Sequence, residues 1–333
     1  MMPFKIAVAG ANGHTGKFVM NHLRRMNHDA IPLTRNGEFV PSSGIQETGR
    51  AIDCSDQASL DRGLVGCDAV LNCAGPFFDT AKPMAEAAIR AGIPYLDVTA
   101  EQGTARSLFD ELDATAKAAG ITILPAMAFY GGLADLLTTA VLQGRTRVTS
   151  VDIAVGLTSW HPTEGTRKTG ARNIAPRVFI RDGVLAQIPT KMPNRNWHFA
   201  APIGEVEVQC LPLSEIILID RHVQAKSVTS YINLKPLEDL HDNSTPPPLS
   251  VTDDGRSAQQ FVMEVEVADG DWRTRVSASG RDIYAATAPL IVGACLKLLN
   301  GPPTPAGVRA PGEIFDCRAF LADLTPEILV KYS

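Results

Sequence analysis

Between Phe4 and about Phe129 the chain repeats one pattern: a short apolar run, then a longer stretch whose apolar residues recur at helical spacing. The runs are KIAVAG, AIPLTR, RAIDCSD, AVLNCAG, PYLDVTA and ITILPAMAF. Helices are expected up to Met26, near Gln57 to Leu64, near Thr80 to Ala91 and near Ala105 to Ala119, with a turn-rich piece before RAIDCSD. Six strands alternating with helices predict an α/β fold with a doubly wound parallel sheet of the Rossmann type. Strands that are apolar throughout, with polar residues at their carboxyl ends, suit burial on both faces. Ligands of such sheets bind at those carboxyl ends.

After Gly131 the texture changes. A helix (GLADLLTTAVLQ) precedes period-two segments: RVTSVDIAVGL, RVFIRDG, EVEVQC, EIILID, SVTSYINL, QFVMEVEVAD and WRTRVSASG. They predict an antiparallel sheet in a second, α+β domain that binds substrate or forms a dimer interface. Residues Leu237 to Gly255, with Pro246, Pro247 and Pro248, read as a loop. A final helix near Ala288 to Leu299 precedes a Pro/Gly stretch and GEIFDCRAFLADL. The expected organisation is a nucleotide-binding domain over 1–130, a second domain over 131–287, and a tail, 288–333, packing back near the first.

Composition narrows the class. The 333 residues are 45% hydrophobic and 20% charged, as in a folded domain, with a net charge of −5. No Lys/Arg block forms a footprint for nucleic acid or an anionic membrane, so neither is an expected partner. The stretch Ala285 to Leu299 is too short and interrupted to cross a bilayer, so membrane insertion is not expected. No signal sequence precedes the strand at Phe4, and a cytoplasmic protein is the default expectation. The six cysteines are scattered without zinc-site spacing, so they are read as free thiols and no metal is expected.

Chemistry concentrates first at Gly10, Gly13 and Gly16, a G-x-x-G-x-x-G between the first strand and first helix. The first glycine permits a sharp turn, the second lets backbone approach a diphosphate, and the third lets helix pack on sheet. The helix N-terminus adds amides and a partial positive charge. The second strand ends Thr34-Arg35-Asn36, with Arg35 nineteen positions after Gly16. An acid there would accept from the ribose hydroxyls of NAD; a guanidinium suits the 2′-phosphate of NADP(H). Asp53 ends the third strand, where it either accepts from the adenine amine or caps the helix near Gln57. Asn72-Cys73-Ala74-Gly75-Pro76-Phe77 ends the fourth. Its small residues let backbone pass under the cofactor ribose, with Phe77 flanking the nicotinamide; the alternative is a packed turn before a helix.

GANGHTGK, LNCAGPF, AAIRAGIPYLDVTAE and LPAMAFYGGLADLL, in this order, resemble the NADP-binding domain of saccharopine dehydrogenase-like reductases, including the trans-acting enoyl reductase branch. The resemblance covers about the first 140 residues, with weaker echoes in EGTRKTG and GVRAPGEIFD. It implies that the nucleotide lies over the glycine loop and that the CAGPF and YLDVTAE turns line the nicotinamide end. By position this implicates Gly10, Asn12, Gly13, His14, Thr15, Arg35, Ala74, Gly75, Pro76, Thr99 and Glu101. Ala100 departs from the glycine that many relatives carry before the glutamate.

Hydride transfer needs a proton donor or acceptor beside the nicotinamide. Asp97, Thr99, Glu101 and Tyr130 are the first-domain candidates, against loop capping for the acids and packing for the tyrosine. In SWHPTEGTRKTGAR, His161 suits proton transfer, while Thr166, Arg167 and Lys168 could grip a substrate carboxylate or phosphate, against a solvated loop. The other histidines, His222 among them, are expected at the surface. Tyr231 and Lys235 satisfy Y-x-x-x-K, but SVTSYINL alternates as a strand, so the pairing is accidental. The resulting expectation is a cytoplasmic, homodimeric oxidoreductase passing hydride from NADPH to a C=N, C=C or C=O group of a small molecule held between the domains. The competing class is a non-catalytic NADP(H)-sensing or partner-binding protein on the same fold.

Overall fold

The computed structural model describes residues 3–41, 44–189 and 192–333. The chain divides into two units, one comprising residues up to Ala128 with Thr287–Arg309, the other Phe129–Ala286 with Ala310–Ser333.

The first unit contains β1 (Lys5–Ala9), α1 (His14–Arg25), β2 (Asp29–Thr34), β3 (Glu38–Phe39), β4 (Glu47–Thr48), β5 (Arg50–Ala51), α2 (Gln57–Leu64), β6 (Ala69–Asn72), α3 (Phe77–Ala91), β7 (Tyr95–Asp97), α4 (Gln102–Ala119) and β8 (Thr122–Leu124). Ile6 to Ala9 are fully buried, as are Ala69 to Asn72, because helices cover both faces of the sheet. Val19, Met20 and Leu23 form the buried stripe of α1 at helical spacing. The sheet runs β5-β2-β1-β6-β7-β8 and all its pairs are parallel. This is the order 3-2-1-4-5-6, in which the chain reverses direction between β1 and β6. A seventh strand, Gly307–Val308, pairs in parallel with β8. The turn-rich piece after β2 contains the small antiparallel pair β3–β4.

The second unit opens with a π turn, Phe129–Leu133, that runs into α5 (Ala134–Val141). There follow β9 (Arg147–Leu157), α6 (Glu164–Arg172), β10 (Val178–Arg181), β11 (Val184–Gln187), β12 (Arg195–His198), β13 (Glu205–Cys210), α7 (Glu215–Asp220), β14 (Gln224–Asn233), α8 (Leu234–His241), β15 (Gln260–Asp269), β16 (Trp272–Arg281) and α9 (Ile283–Asn300). The chain ends with β17 (the strand Gly307–Val308 named above), α10 (Pro311–Ile314), α11 (Cys317–Ala322) and β18 (Ile328–Tyr332). The sheet path is β11-β10-β14-β9-β15-β16-β18, with the β12–β13 hairpin attached to β14. Trp197, Phe199, Val208, Tyr231 and Val262 pack together as a core.

Four expectations for this half change. The sheet is mixed, because β9 and β14 pair in parallel; the long connection between them provides the crossover that parallel pairing needs. EIILID is the helix α7, with Glu215 to Ile219 all buried. A short segment apolar on every side shows no period that separates helix from strand. The expected loop from Leu237 starts inside α8, where Pro236 and Leu237 are buried. The tail over 288–333 divides: residues up to Arg309 go with the first unit and later ones with the second. Within the second unit, β18 hydrogen-bonds along β16 and so anchors the chain's last strand.

α9 is 18 residues long and, by length and composition, apolar enough to cross a membrane, although 61% of it is buried within the protein. It is longer than the stretch read from the sequence because Ile283 and Tyr284 already belong to it. Its buried residues, Ala286, Leu290, Ile291, Val292 and Ala294 among them, give packing as the reason for its apolar character.

Candidate cofactor site

The glycine loop lies where β1 and β6 diverge, the position at which doubly wound sheets bind their ligands. Gly10 has φ of 72° and donates its N–H to the Leu33 carbonyl at 3.2 Å. A Cβ on Gly10 would stand 2.8 Å from the Ala74 backbone, and one on Gly16 would stand 2.1 Å from the Gly10 carbonyl oxygen. The backbone segments therefore touch where side chains would normally separate them. Gly13 caps α1 without a side-chain acceptor, and the first turn of α1 carries no acid. Nothing in that turn neutralises the positive end of the helix, which is the arrangement an anionic diphosphate needs.

Asn12 ties this loop to the next one: its amide donates to the Glu38 carbonyl at 2.8 Å, and its side-chain oxygen accepts from the Val40 N–H at 2.9 Å. His14 and Thr15 open α1, half-buried, with the His14 ring edge-on to Phe18. Beyond β2, Thr34 is buried and its hydroxyl donates to Asn36, whose amide in turn donates to Glu38 at 2.9 Å. Arg35 is exposed and, among the described residues, has neither a hydrogen-bond nor an ion-pair partner. The Asx and turn bonds on either side fix the backbone while leaving the guanidinium available.

Asp53 accepts from the Ser55 N–H and hydroxyl at 2.8 and 2.7 Å, bonds that hold its carboxyl below the usual range. The cap of α2 is Asp56, accepting from Ala58 at 2.9 Å. Of the two roles read for Asp53, helix capping therefore falls to its neighbour, because Asp56 immediately precedes the helix.

Glu101 takes a different part from the acid–base one expected. Its two carboxylate oxygens accept from the Phe77 and Phe78 N–H groups, each at 2.9 Å, and from the Thr104 hydroxyl at 2.6 Å. Pro76 is the cap residue of α3 and supplies no side-chain acceptor. The buried Glu101 carboxylate supplies it from the neighbouring loop and so fixes the Ala74-Gly75-Pro76-Phe77 turn. Thr99 supports the arrangement, its hydroxyl accepting from the Glu101 N–H at 3.0 Å.

Sequence reasoning passed over the network beneath these turns. Asp97 Oδ1 accepts from the Thr99 and Ala126 N–H groups, both at 2.9 Å, and Oδ2 from the Tyr95 hydroxyl at 3.0 Å. Asn72 donates to Tyr95 at 3.1 Å and accepts from the Ala74 N–H at 3.0 Å. One buried network thus sets the carboxyl ends of β6, β7 and the turn after β8. Its signal in the sequence is a single Asn or Asp closing an otherwise apolar run. Burial pushes the Asp97 carboxyl up to about 6, with the backbone N–H bonds from Ala126 and Thr99 pulling the other way. Because its folded pKa lies above the unfolded value, folding takes up a proton between pH 4 and 6. The Asp97 contribution to stability is therefore expected to fall by about 3 kcal/mol as pH rises through that window. Urea midpoints measured from pH 4 to 7 should show this decline in the wild type and a flatter profile in Asp97→Asn.

The remaining residues named from the sequence lie in the second unit. Tyr130 packs edge-on against Phe129 and tilted against Trp160, with its hydroxyl sealed from solvent and lacking a partner. His161 is half-buried, immediately before the first turn of α6. Thr166, Arg167 and Lys168 stand on α6 rather than in a loop, because Thr163 caps that helix by accepting from the Thr166 N–H. The Thr166 hydroxyl shares a 3.0 Å bond with Tyr284, Arg167 donates to the Asp242 and Thr245 carbonyls, and Lys168 pairs with Glu164. The structure gives these three side chains structural partners. Tyr231 lies on β14 and Lys235 pairs with Asp239 on α8, so Y-x-x-x-K is not a helical face. His222, expected at the surface, is mostly covered and bonded to the fully buried Asp135 at 2.7 Å. Burial lowers its affinity for a proton, but Asp135 outweighs that and moves the pKa upward. All six cysteines are free, and among the described residues no three His, Cys, Asp or Glu side chains are grouped to hold a metal.

A 3-2-1-4-5-6 sheet with a tight glycine loop at its reversal point, an uncapped helix N-terminus and a free cation after the second strand defines a dinucleotide-binding protein. Residues 6–124 match the family model of the saccharopine dehydrogenase NADP-binding domain. The chain thus carries an NADP-binding domain of the saccharopine dehydrogenase-like oxidoreductase family. Saccharopine dehydrogenase-like oxidoreductases of Rattus norvegicus and Mus musculus are 28% and 27% identical to it over 155 residues, covering 40% of this chain and 36% of each relative. The matched stretch therefore spans little more than a third of those relatives. Among solved structures, apo saccharopine dehydrogenase (L-Glu forming) from Saccharomyces cerevisiae aligns over 99% of this chain and 100% of its own, at 14% identity and a TM-score of 0.62. An amine dehydrogenase from Mycobacterium smegmatis aligns over 95% of this chain and 97% of its own, at 12% identity and a TM-score of 0.52. At those identities the likeness is one of fold.

Proposed function

We propose that this protein is an NADPH-dependent reductase that delivers hydride to a C=N, C=C or C=O group of a small molecule. The observation that carries the reading is the glycine cradle combined with the unpartnered Arg35 guanidinium after β2. The cofactor, when bound, supplies the hydride. The chain's own residues do the rest. The α1 amides and the backbone of Gly10 to Gly13 receive the diphosphate, and Arg35 grips the ribose 2′-phosphate by charge-assisted hydrogen bonds. The Ala74 to Phe77 turn, held by Glu101, forms the floor on which the nicotinamide end rests. Glu101, with both oxygens committed, positions that floor and leaves proton delivery to another group.

Arg35→Asp is expected to weaken NADPH by roughly 1.5–3 kcal/mol, the scale of hydrogen bonds to a charged partner, while sparing NADH. Calorimetric titration of both cofactors against wild type and variant checks this. Equal loss of the two would assign Arg35 a structural role and remove the basis for NADP preference. Consumption of NADPH with a panel of cyclic imines, enones and keto acids tests the reaction class.

A further inference from the structure

Within the second unit, one small cavity gathers three of the buried polar groups that lack a protein partner. Tyr130 in the π turn, Glu215 at the start of α7 and Ser230 on β14 all line it, with Ile153, Leu211 and Met263 among its apolar walls. The Tyr130 hydroxyl, the Ser230 hydroxyl and Glu215 Oε2 are each sealed from solvent without a hydrogen bond. Glu215 Oε1, by contrast, accepts from the Leu213 N–H at 2.8 Å, so the carboxylate is fixed by one oxygen and presents the other to the cavity. Orphaned polar groups are rare in folded proteins, and three around one space call for a guest that satisfies them together. The volume open to a water centre is about 10 Å³, which suits one water molecule with three polar neighbours.

We propose that a water molecule in this cavity joins Glu215, Tyr130 and Ser230 into a proton relay, with Glu215 as the store and Tyr130 as the group that delivers the proton to substrate. The relay rests on the reductase reading above, since hydride transfer to an imine, enone or carbonyl leaves one proton to be supplied. Tyr130 lies on the chain just beyond the carboxyl end of β8, the edge at which doubly wound sheets place their chemistry. The Tyr130 O–H bond breaks as hydride from NADPH reaches the acceptor carbon, and the proton goes to the acceptor's heteroatom or neighbouring carbon. The tyrosinate oxygen takes a proton from the water, the water takes one from the Glu215 carboxyl, and Glu215 recovers its proton from solvent after product leaves. Ser230 orients the water.

The acidities fit this order. Burial raises the Tyr130 hydroxyl well above its usual range, with Tyr284 and Glu215 adding to the rise, so a lone tyrosinate there is disfavoured and Tyr130 needs a partner that reprotonates it. Burial likewise pushes Glu215 up to about 7; the Leu213 N–H, the nearby Ser230 hydroxyl and the Arg177 guanidinium pull it down. The other titratable neighbour, Cys210, is itself raised to about 11 by burial and then by Glu215, and stays neutral. An acid near 7 is matched to proton transfer at neutral pH.

The test uses the full chain with NADPH and the imine, enone and keto acid panel. Wild-type kcat is expected to fall as pH rises through about 7. Glu215→Gln should lower kcat about tenfold and flatten that profile with KM little changed, and Tyr130→Phe should lower it about 100-fold. Ser230→Ala, a milder change to the same water, should shift the profile and guards against a folding defect in the other variants. Wild-type rate and profile in Glu215→Gln would overturn the relay. Infrared difference titration gives a readout free of turnover: a carboxylic C=O band lost near pH 7, absent in Glu215→Gln and shifted in Tyr130→Phe. If the wild type consumes no NADPH with any compound, the reductase reading fails, and the infrared titration decides separately. A band unmoved by Tyr130→Phe and Ser230→Ala then means that the three groups share no water.

Discussion

Gly16→Ala is expected to lose more than about 3 kcal/mol of stability, above the usual cost of overpacking, and to abolish detectable NADPH binding. The added Cβ would lie 2.1 Å from the Gly10 carbonyl oxygen, 2.9 Å from its carbon and 3.0 Å from Ala11 Cα. Every one of these atoms is backbone, so no side chain can swing aside. The helix must slide away from the strand, and the amides that face the diphosphate move with it. Gly103→Ala is the matched control. Gly103 is within α4 and a Cβ there meets nothing within 4 Å, so that variant should gain roughly 0.5–1 kcal/mol from helix propensity. Urea unfolding and calorimetry on the two variants would expose an error: retained NADPH affinity in Gly16→Ala contradicts the tight loop.

Glu101→Ala is expected to cost about 4 kcal/mol and to weaken NADPH as a consequence. It strips the acceptors from two amides at the head of α3 and from the Thr104 hydroxyl, all at a site where Glu101 is 3% exposed. The Ala74 to Phe77 turn would then be free to shift under the cofactor. Glu101→Gln keeps one acceptor oxygen and should lie between alanine and wild type. A catalytic proton donor would behave differently: Gln would be as inactive as Ala while stability stayed near wild type. Paired measurements of unfolding free energy and NADPH affinity in both variants separate the two roles.

Much of the first unit was readable before any coordinates, and for a definite reason. Parallel strands buried on both faces must be written as apolar runs, and α1, α2, α3 and α4 each bury one stripe, so period and boundary agree. Gly10, Gly13 and Gly16 were legible because backbone atoms approach where only glycine fits. Arg35 was legible because its position relative to the loop is fixed by the βαβ unit. Roles that depend on which polar atoms meet in space were not. Nothing in the sequence places Glu101 beneath the head of α3, joins Asn72 and Tyr95 to Asp97, or brings Glu215 to Tyr130. Glu215 was further hidden because α7, buried along Glu215 to Ile219, has no polar face to reveal a helix. The parallel pairing of β9 with β14 escaped for a related reason: a period of two marks a strand and is silent about its direction.

The strand Gly307–Val308 gives the last part of this story a temporal side. It closes the edge of β8 through parallel hydrogen bonds, yet it is separated from β8 by the entire length of the second sheet's first eight strands. During synthesis the nucleotide-binding sheet therefore waits, with one border unsatisfied, until more than half the polypeptide beyond it has left the ribosome. An unpaired border invites pairing with a stranger. Ribosome-bound intermediates stalled between the two segments should accordingly be the species most dependent on chaperones.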